Sequence, residues 1–112
     1  MDDARKIDAG VLRTESIREG DSHRLRLLGE FDLSGAEAYA AEIERVEQGD
    51  AKRILIDMAD LRFMDSTGLR LLLETDMRSR ADSDRVRYVR PRGEVARLFE
   101  MTRVDDRLHF VD

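Results

Sequence analysis

One stretch limits the possible folds more than any other: residues 53–80, RILIDMADLRFMDSTGLRLLLETDMRSR. It opens with Ile54, Leu55 and Ile56, a short unbroken apolar run suited to a strand covered on both faces in a parallel or mixed sheet. Residues 57–60 end that run. A second apolar group, Leu61, Phe63 and Met64, reads as a buried loop. The polar tetrapeptide Asp65-Ser66-Thr67-Gly68 follows, and Leu69, Leu72, Leu73 and Met77 then mark one face of a helix. Asp65 or Ser66 stands where the N-cap belongs. A side-chain oxygen there accepts from a backbone N–H that has no partner inside the helix. The unit is strand, loop, cap, helix.

Around it the chain takes α/β form. Residues 1–9 are polar apart from Ile7 and read as a frayed tail, which leaves one domain over residues 11–112. Residues 11–17 suit a strand, Glu19-Gly20-Asp21 a turn, and Arg24-Leu25-Arg26-Leu27 alternates as a strand with one buried face does. These two strands are expected to pair as an antiparallel hairpin. Gly29 interrupts the alternation and marks a candidate bulge. Ser34 and Glu37 fit a capping box, and Tyr39, Ile43 and Val46 share a helical face that ends near Gly49. Strand, helix and strand in this order make a right-handed crossover between parallel strands.

After the central helix come a charged loop at 81–85, a short strand at 86–89, a turn at 90–93, and a helix carrying Val95, Leu98 and Phe99. Leu108, Phe110 and Val111 suit an edge strand or an extended tail. The expected architecture is a single-domain mixed sheet of four to five strands with three to four helices. Loops leaving the carboxyl ends of parallel strands gather at one sheet edge. Asp32, Ser66, Arg90 and Arg92 are therefore expected near one end, which is the predicted partner surface.

Composition removes several classes of function. At 112 residues there is one core, burying roughly two-thirds of the unfolded surface. There is no cysteine, so thiolate and disulfide chemistry is absent. A formal net charge of −5 argues against a dedicated nucleic-acid binder. No apolar run approaches the roughly 18 residues of a membrane span, and the N-terminus lacks the pattern of a signal peptide; a cytoplasmic location is expected.

Enzyme templates fail in turn. His23 and His109 are poorly placed for a triad or a metal pair. Residues 64–68 are not Gly-x-Ser-x-Gly, and no Gly-rich loop with a Lys is present. Asp57 and Asp60 lack the acidic pair and late Lys of a phospho-acceptor receiver, and Asp57 reads as a cap for local backbone donors. Asp32, Asp57, Asp60 and Asp65 form no cation loop. No catalytic residue, cofactor or metal is expected. The arginines between 78 and 92 read as a solvated mixed-charge face, or as a contact for an acidic partner. Arg90 or Arg92 would pair with a phosphate on Ser66 if either reaches it.

Two separated motifs carry a resemblance. Leu55-Ile56-Asp57, the apolar residues 61–64 and Asp65-Ser66-Thr67-Gly68-Leu69 resemble the STAS domain of bacterial anti-sigma factor antagonists. Gly29-Glu30-Phe31-Asp32-Leu33 is similar to the family's Gly-Glu-Leu-Asp segment. The likeness covers about residues 11–111; the glycine often found in the 81–85 loop is missing. It implies a partner-switching module. The unphosphorylated domain would bind an anti-sigma factor that is a serine kinase, which holds the ATP. Phosphorylation of Ser66, or alternatively of Thr67, would release it, and a metal-dependent serine phosphatase would reset it.

Through the same likeness Asp32, Ser34, Asp65, Thr67 and Gly68 are expected in the contact surface, Gly68 letting a partner backbone come close. Two further readings are a non-switching STAS subunit, of a lipid-transport ATPase or a stress-signalling scaffold, and a STAS domain binding a nucleotide or lipid at the loop edge.

Overall fold

The computed structural model describes residues 4–9 and 11–111. In chain order the elements are β1 (Ala4–Ala9), β2 (Leu12–Glu19), β3 (Ser22–Phe31), a 3-10 turn (Leu33–Gly35), α1 (Ala36–Glu47), β4 (Arg53–Asp57), β5 (Leu61–Met64), α2 (Ser66–Ala81), β6 (Val86–Val89), α3 (Gly93–Met101), a second 3-10 turn (Val104–Asp106) and β7 (Phe110–Val111). The seven strands form one mixed sheet in the order β1-β2-β3-β4-β6-β7, with β5 beside β3. β2 pairs antiparallel with β1 on one side and β3 on the other; β4, β5, β6 and β7 join in parallel.

All three crossovers, through α1, α2 and α3, advance across the sheet in the same direction. Right-handed connections then carry the three helices to the same face. That face holds the core. Leu25, Leu27, Ile54, Ile56 and Tyr88 are fully buried against Tyr39, Ile43, Leu72, Val95 and Phe99. Two tyrosines bring polar atoms inside, each with a partner. The Tyr39 and Thr75 hydroxyls lie 2.7 Å apart, and the Tyr88 hydroxyl donates to Asp76 Oδ1 at 3.0 Å. Burial raises both phenol pKa values far above their ordinary range.

Among the described residues the opposite face has no helical cover, which corrects the expectation for residues 54–56. Ile54 and Ile56 are buried, but Leu55 is half-exposed beside Arg24. Across this face the register sets Lys6, Glu15, Arg26 and Asp57 in one cross-strand row of alternating charge. Arg26 donates to Glu15 at 2.7 Å and also to Asp60, while Arg24 bridges Glu19 and Asp57 at 3.1 and 2.9 Å. Opposite charges on neighbouring strands satisfy one another, so the face can stay wet.

Other expectations change as well. Residues 4–9, expected as a frayed tail, form β1. Backbone pairing with β2 holds it, and Arg5 reaches Glu42 of α1 at 2.9 Å. The expected buried loop at 61–64 is β5, paired with β3, and Phe63 on it is exposed. The bulge expected at Gly29 is present: the β3–β5 register shifts between Gly29 and Glu30, and Gly29 takes φ +89°. The predicted Ser34–Glu37 capping box does not form. Asp32 caps the 3-10 turn instead, and α1 follows from Gly35 with no side-chain cap.

Candidate functional site

Parallel pairing of β3 with β5 sets Phe31 opposite Met64, so both chains leave the sheet side by side. The Asp65 N–H donates to the Phe31 carbonyl at 3.2 Å and fastens the two exits together. Each exit is an aspartate turn. Asp32 Oδ1 accepts from the Ser34 N–H at 2.9 Å and from the Ser34 hydroxyl at 2.6 Å. Asp65 Oδ1 accepts from the N–H groups of Thr67 and Gly68 at 2.9 and 3.1 Å. Of the two candidates for the α2 N-cap, Asp65 takes the role, since its carboxylate satisfies two first-turn donors at once.

Ser66 is thereby released from capping. It is the first residue of α2, it is exposed, and its hydroxyl makes no hydrogen bond among the described residues. The N-terminal end of the helix dipole lies directly beneath it, a position that favours an added anion. Thr67 is half-buried, and its N–H is taken by Asp65. The Asp32 turn, with Ser34, and the Asp65 turn, with Thr67, thus leave the sheet at adjoining strand ends, and Ser66 opens α2 from the second of them.

Gly68 faces the other way. It is buried, and a Cβ there would lie 2.7 Å from the Phe31 carbonyl oxygen and 2.9 Å from Met64 Cγ. Its lack of a side chain lets α2 start against the end of β3, inside the protein rather than toward a partner.

Arg90 and Arg92 do not join the cluster. The Arg90 guanidinium stacks 4.2 Å from the centre of the Phe110 ring, and Arg92 lies 3.9 Å from Asp60. Register explains the separation. β6 ends level with Asp57, just before β5 begins, whereas Ser66 lies beyond the far end of β5. The sheet edge is stepped by that strand, roughly 13 Å at 3.3 Å per residue. Asp57, set aside earlier as a local cap, accepts from the Ala59 N–H at 3.0 Å and pairs with Arg24. Among the described residues no three His, Cys, Asp or Glu side chains converge as a metal site would require, and no helix is long and apolar enough to cross a membrane.

One residue of the surface escaped the sequence reading. Leu33, the second residue of the Asp32 turn, is 73% exposed. The signal was available: Asp32-Leu33-Ser34-Gly35 and Asp65-Ser66-Thr67-Gly68 share the pattern Asp-x-Ser/Thr-Gly, each directly after an apolar strand end.

This fold, with an aspartate-capped helix starting where a short parallel strand ends, is that of a STAS domain. The family model described as Mlab, STAS domain, matches residues 16–112, and the chain belongs to the STAS domain family. It is 26% identical over 99 residues to an anti-sigma-B factor antagonist of Staphylococcus epidermidis, covering 88% of this chain and 91% of that relative. Among solved structures it is similar to an anti-sigma factor antagonist from Mycobacterium paratuberculosis, with TM-score 0.78 and 22% identity over 88% of this chain and 84% of that one. The anti-sigma factor antagonist SpoIIAA in its unphosphorylated form gives TM-score 0.67 and 22% identity, covering 97% and 88% of the two chains. These structural likenesses establish the fold.

Proposed function

We propose that the domain is an anti-sigma factor antagonist that changes partners through phosphorylation of Ser66. The observation that carries this reading is the exposed, uncommitted hydroxyl at the first position of α2, with capping done by Asp65. The 26% identity to an anti-sigma-B factor antagonist along nearly the whole chain supports it. In its unphosphorylated form the domain binds a kinase-type anti-sigma factor through Ser66, Leu33, Asp32 and Ser34. The Ser66 oxygen then attacks the γ-phosphorus of ATP held by the kinase; ADP leaves, and the hydroxyl proton is lost. A metal-dependent serine phosphatase restores the hydroxyl. The domain is a ligand and a substrate, not a catalyst.

Elementary electrostatics makes such a switch strong enough. A phosphoserine adds about −1.5 to −2 charges at neutral pH. One unit of charge facing a partner carboxylate at 4 Å costs up to about 4 kcal/mol at an effective dielectric near 20. A third of that is already about tenfold in affinity. The Asp32 and Asp65 carboxylates add negative potential nearby, while the helix dipole keeps the phosphorylated fold intact. The test is to incubate the full chain with a kinase-type anti-sigma factor from its own source and ATP, then map phosphate by mass spectrometry. Phosphate on Ser66 supports the switch; none on Ser66 or Thr67 refutes it.

A second reading has its own support. The matching family model carries the description Mlab, STAS domain, and does not name an anti-sigma factor antagonist. A non-switching subunit, of a lipid-transport ATPase or a stress-signalling scaffold, would hold its partner equally well as Ser66→Asp and as Ser66→Ala.

A further inference from the structure

Behind the two turns, α1 and α2 leave a groove of about 360 Å³ on the outer side of the helical layer. Its lining comes from these two helices: Ala40 of α1 and Leu71 of α2 present apolar surface, over the buried Tyr39, Ile43 and Thr75, between charged rims. Along α1 it runs from residue 39 to residue 47, about two helical turns or 12 Å.

The rims are mostly acidic. Glu44, Glu47 and Glu74 face a single arginine, Arg78, and Arg78 is already 3.3 Å from Glu47 at one end. Glu74 is paired with Arg70 at 2.9 Å on the outer side of α2, and Glu44 meets a Gln48 amide at 3.5 Å. A groove with an apolar floor and carboxylate rims is complementary to a helix with an apolar edge and basic flanks. Two parallel ridges of i, i+3 and i+4 side chains are the wall that a third helix packs into. The groove offers no free strand edge, so an extended peptide would leave its own backbone groups unpaired.

We propose that this groove seats a Lys- and Arg-flanked amphipathic helix of the partner protein, an anchoring contact separate from the Ser66 switch. The inference rests on the reading of the domain as a partner-binding module. Ser66 lies five residues, about 7.5 Å, ahead of Leu71 along α2. A phosphate there acts at the mouth of the groove and leaves its floor unchanged. The anchor therefore keeps a residual affinity after phosphorylation, and the switch sets how tightly the partner is held.

The experiment uses the full chain, amide-resolved NMR and three synthetic peptides. The first carries Leu at i, i+3, i+4 and i+7 with Lys and Arg on both flanks. In the second, Glu replaces the basic residues; in the third, Gln replaces the leucines. The first peptide is expected to shift the amides of Ala40, Glu44, Leu71 and Thr75, and the other two to leave them in place. Reversing two rim charges, Glu44→Lys with Glu74→Lys, is expected to weaken binding of the first peptide about tenfold. Both positions are on the surface, and a thermal melt of the double variant checks its fold. Ser66→Asp should change peptide affinity by less than about twofold.

Shifts confined to other surfaces, equal binding of the Glu or Gln peptide, or indifference to the double reversal would each overturn the groove assignment. None of these outcomes bears on phosphorylation: a Ser66 that never accepts phosphate leaves the groove result standing, and an empty groove leaves the switch standing.

Discussion

The two aspartate turns at the mouth of the helical layer are built alike and expose different side chains. In both, an Asp carboxylate accepts from the N–H two residues later, and the fourth residue is a buried glycine. In both, the second residue is exposed: Leu33 in one, Ser66 in the other. Each turn also contains a serine, but at different positions. Ser34 is the third residue, and its hydroxyl folds back onto Asp32 at 2.6 Å. Ser66 is the second residue, and among the described residues nothing holds its hydroxyl. Position within the turn, more than residue type, decides which hydroxyl a partner can reach. The pair presents one exposed apolar side chain and one exposed hydroxyl at adjoining strand ends.

The largest expected effect separates those contacts. Ser66→Asp should weaken binding to a kinase-type anti-sigma factor by tenfold or more, by the charge argument above. Leu33→Ala removes apolar surface that a partner would cover, about 1–1.5 kcal/mol or roughly tenfold. It should do so equally in the phosphorylated and unphosphorylated states, whereas Ser66→Ala should abolish the difference between them. Titration calorimetry on the three variants decides the matter. If Leu33→Ala alone changes the phosphorylation dependence, the two turns do not divide the work in this way.

Two substitutions compare how the turns are locked. Gly68→Ala drives a methyl group against the Phe31 carbonyl, which is fixed in the β3–β5 ladder. A loss of about 2–3 kcal/mol is expected in urea unfolding. Gly35→Ala meets Leu12 Cβ and Cδ2, both at 2.8 Å; the Cδ2 methyl can turn away but Cβ is held by the paired backbone of β2, so a comparable loss is expected. Asp65→Ala leaves two first-turn N–H groups without their acceptor and should cost about 1–2 kcal/mol, while Asp65→Asn should retain most of that. Equal melting temperatures for the Ala and Asn variants would mean that Asp65 does not act as the cap.

How far all this could be read in advance depended on whether the deciding contacts were local. Leu25 and Leu27 alternate, and Tyr39, Ile43 and Val46 recur at helical spacing, so β3 and α1 were legible from pattern alone. β1 was not. Its sequence is polar, and it is held by pairing with β2 and by Arg5 reaching a glutamate 37 residues away. β5 was hidden because the bulge at Gly29 breaks the partner register and leaves both Arg62 and Phe63 exposed, so no period of two survives. The Ser34–Glu37 capping box was a sound local alternative. Which oxygen takes the first free N–H is settled by where β3 releases the chain, beside Asp65. Arg90 and Arg92 were misplaced by the assumption that all parallel strands end on one line. The edge is stepped by the length of β5.

The smallest expected effect lies at the far end of β3 from both turns. His23 sits there with its Nε2 2.6 Å from the Ser16 hydroxyl, under Arg45 and Arg18 and near Glu42. Burial lowers its pKa below the usual 6.5, the two arginines push the same way, and Glu42 only partly opposes them. The unfolded chain therefore binds this proton before the folded one does. Stability contributed by neutral His23 is complete above the unfolded value and declines as pH falls from about 6.5 toward the depressed folded value. The slope is at most about 1.4 kcal/mol per pH unit, and partial exposure reduces it further. Urea unfolding of the wild type should show that decline before the carboxylates begin to titrate, and His23→Gln should flatten it. Phosphate incorporation at Ser66 over the same range should be identical in the two proteins, because a β3 of ten residues puts roughly 30 Å between the imidazole and the Asp32 turn. A His23→Gln protein with altered incorporation would show that the two ends of the sheet are coupled and that the turns are not autonomous.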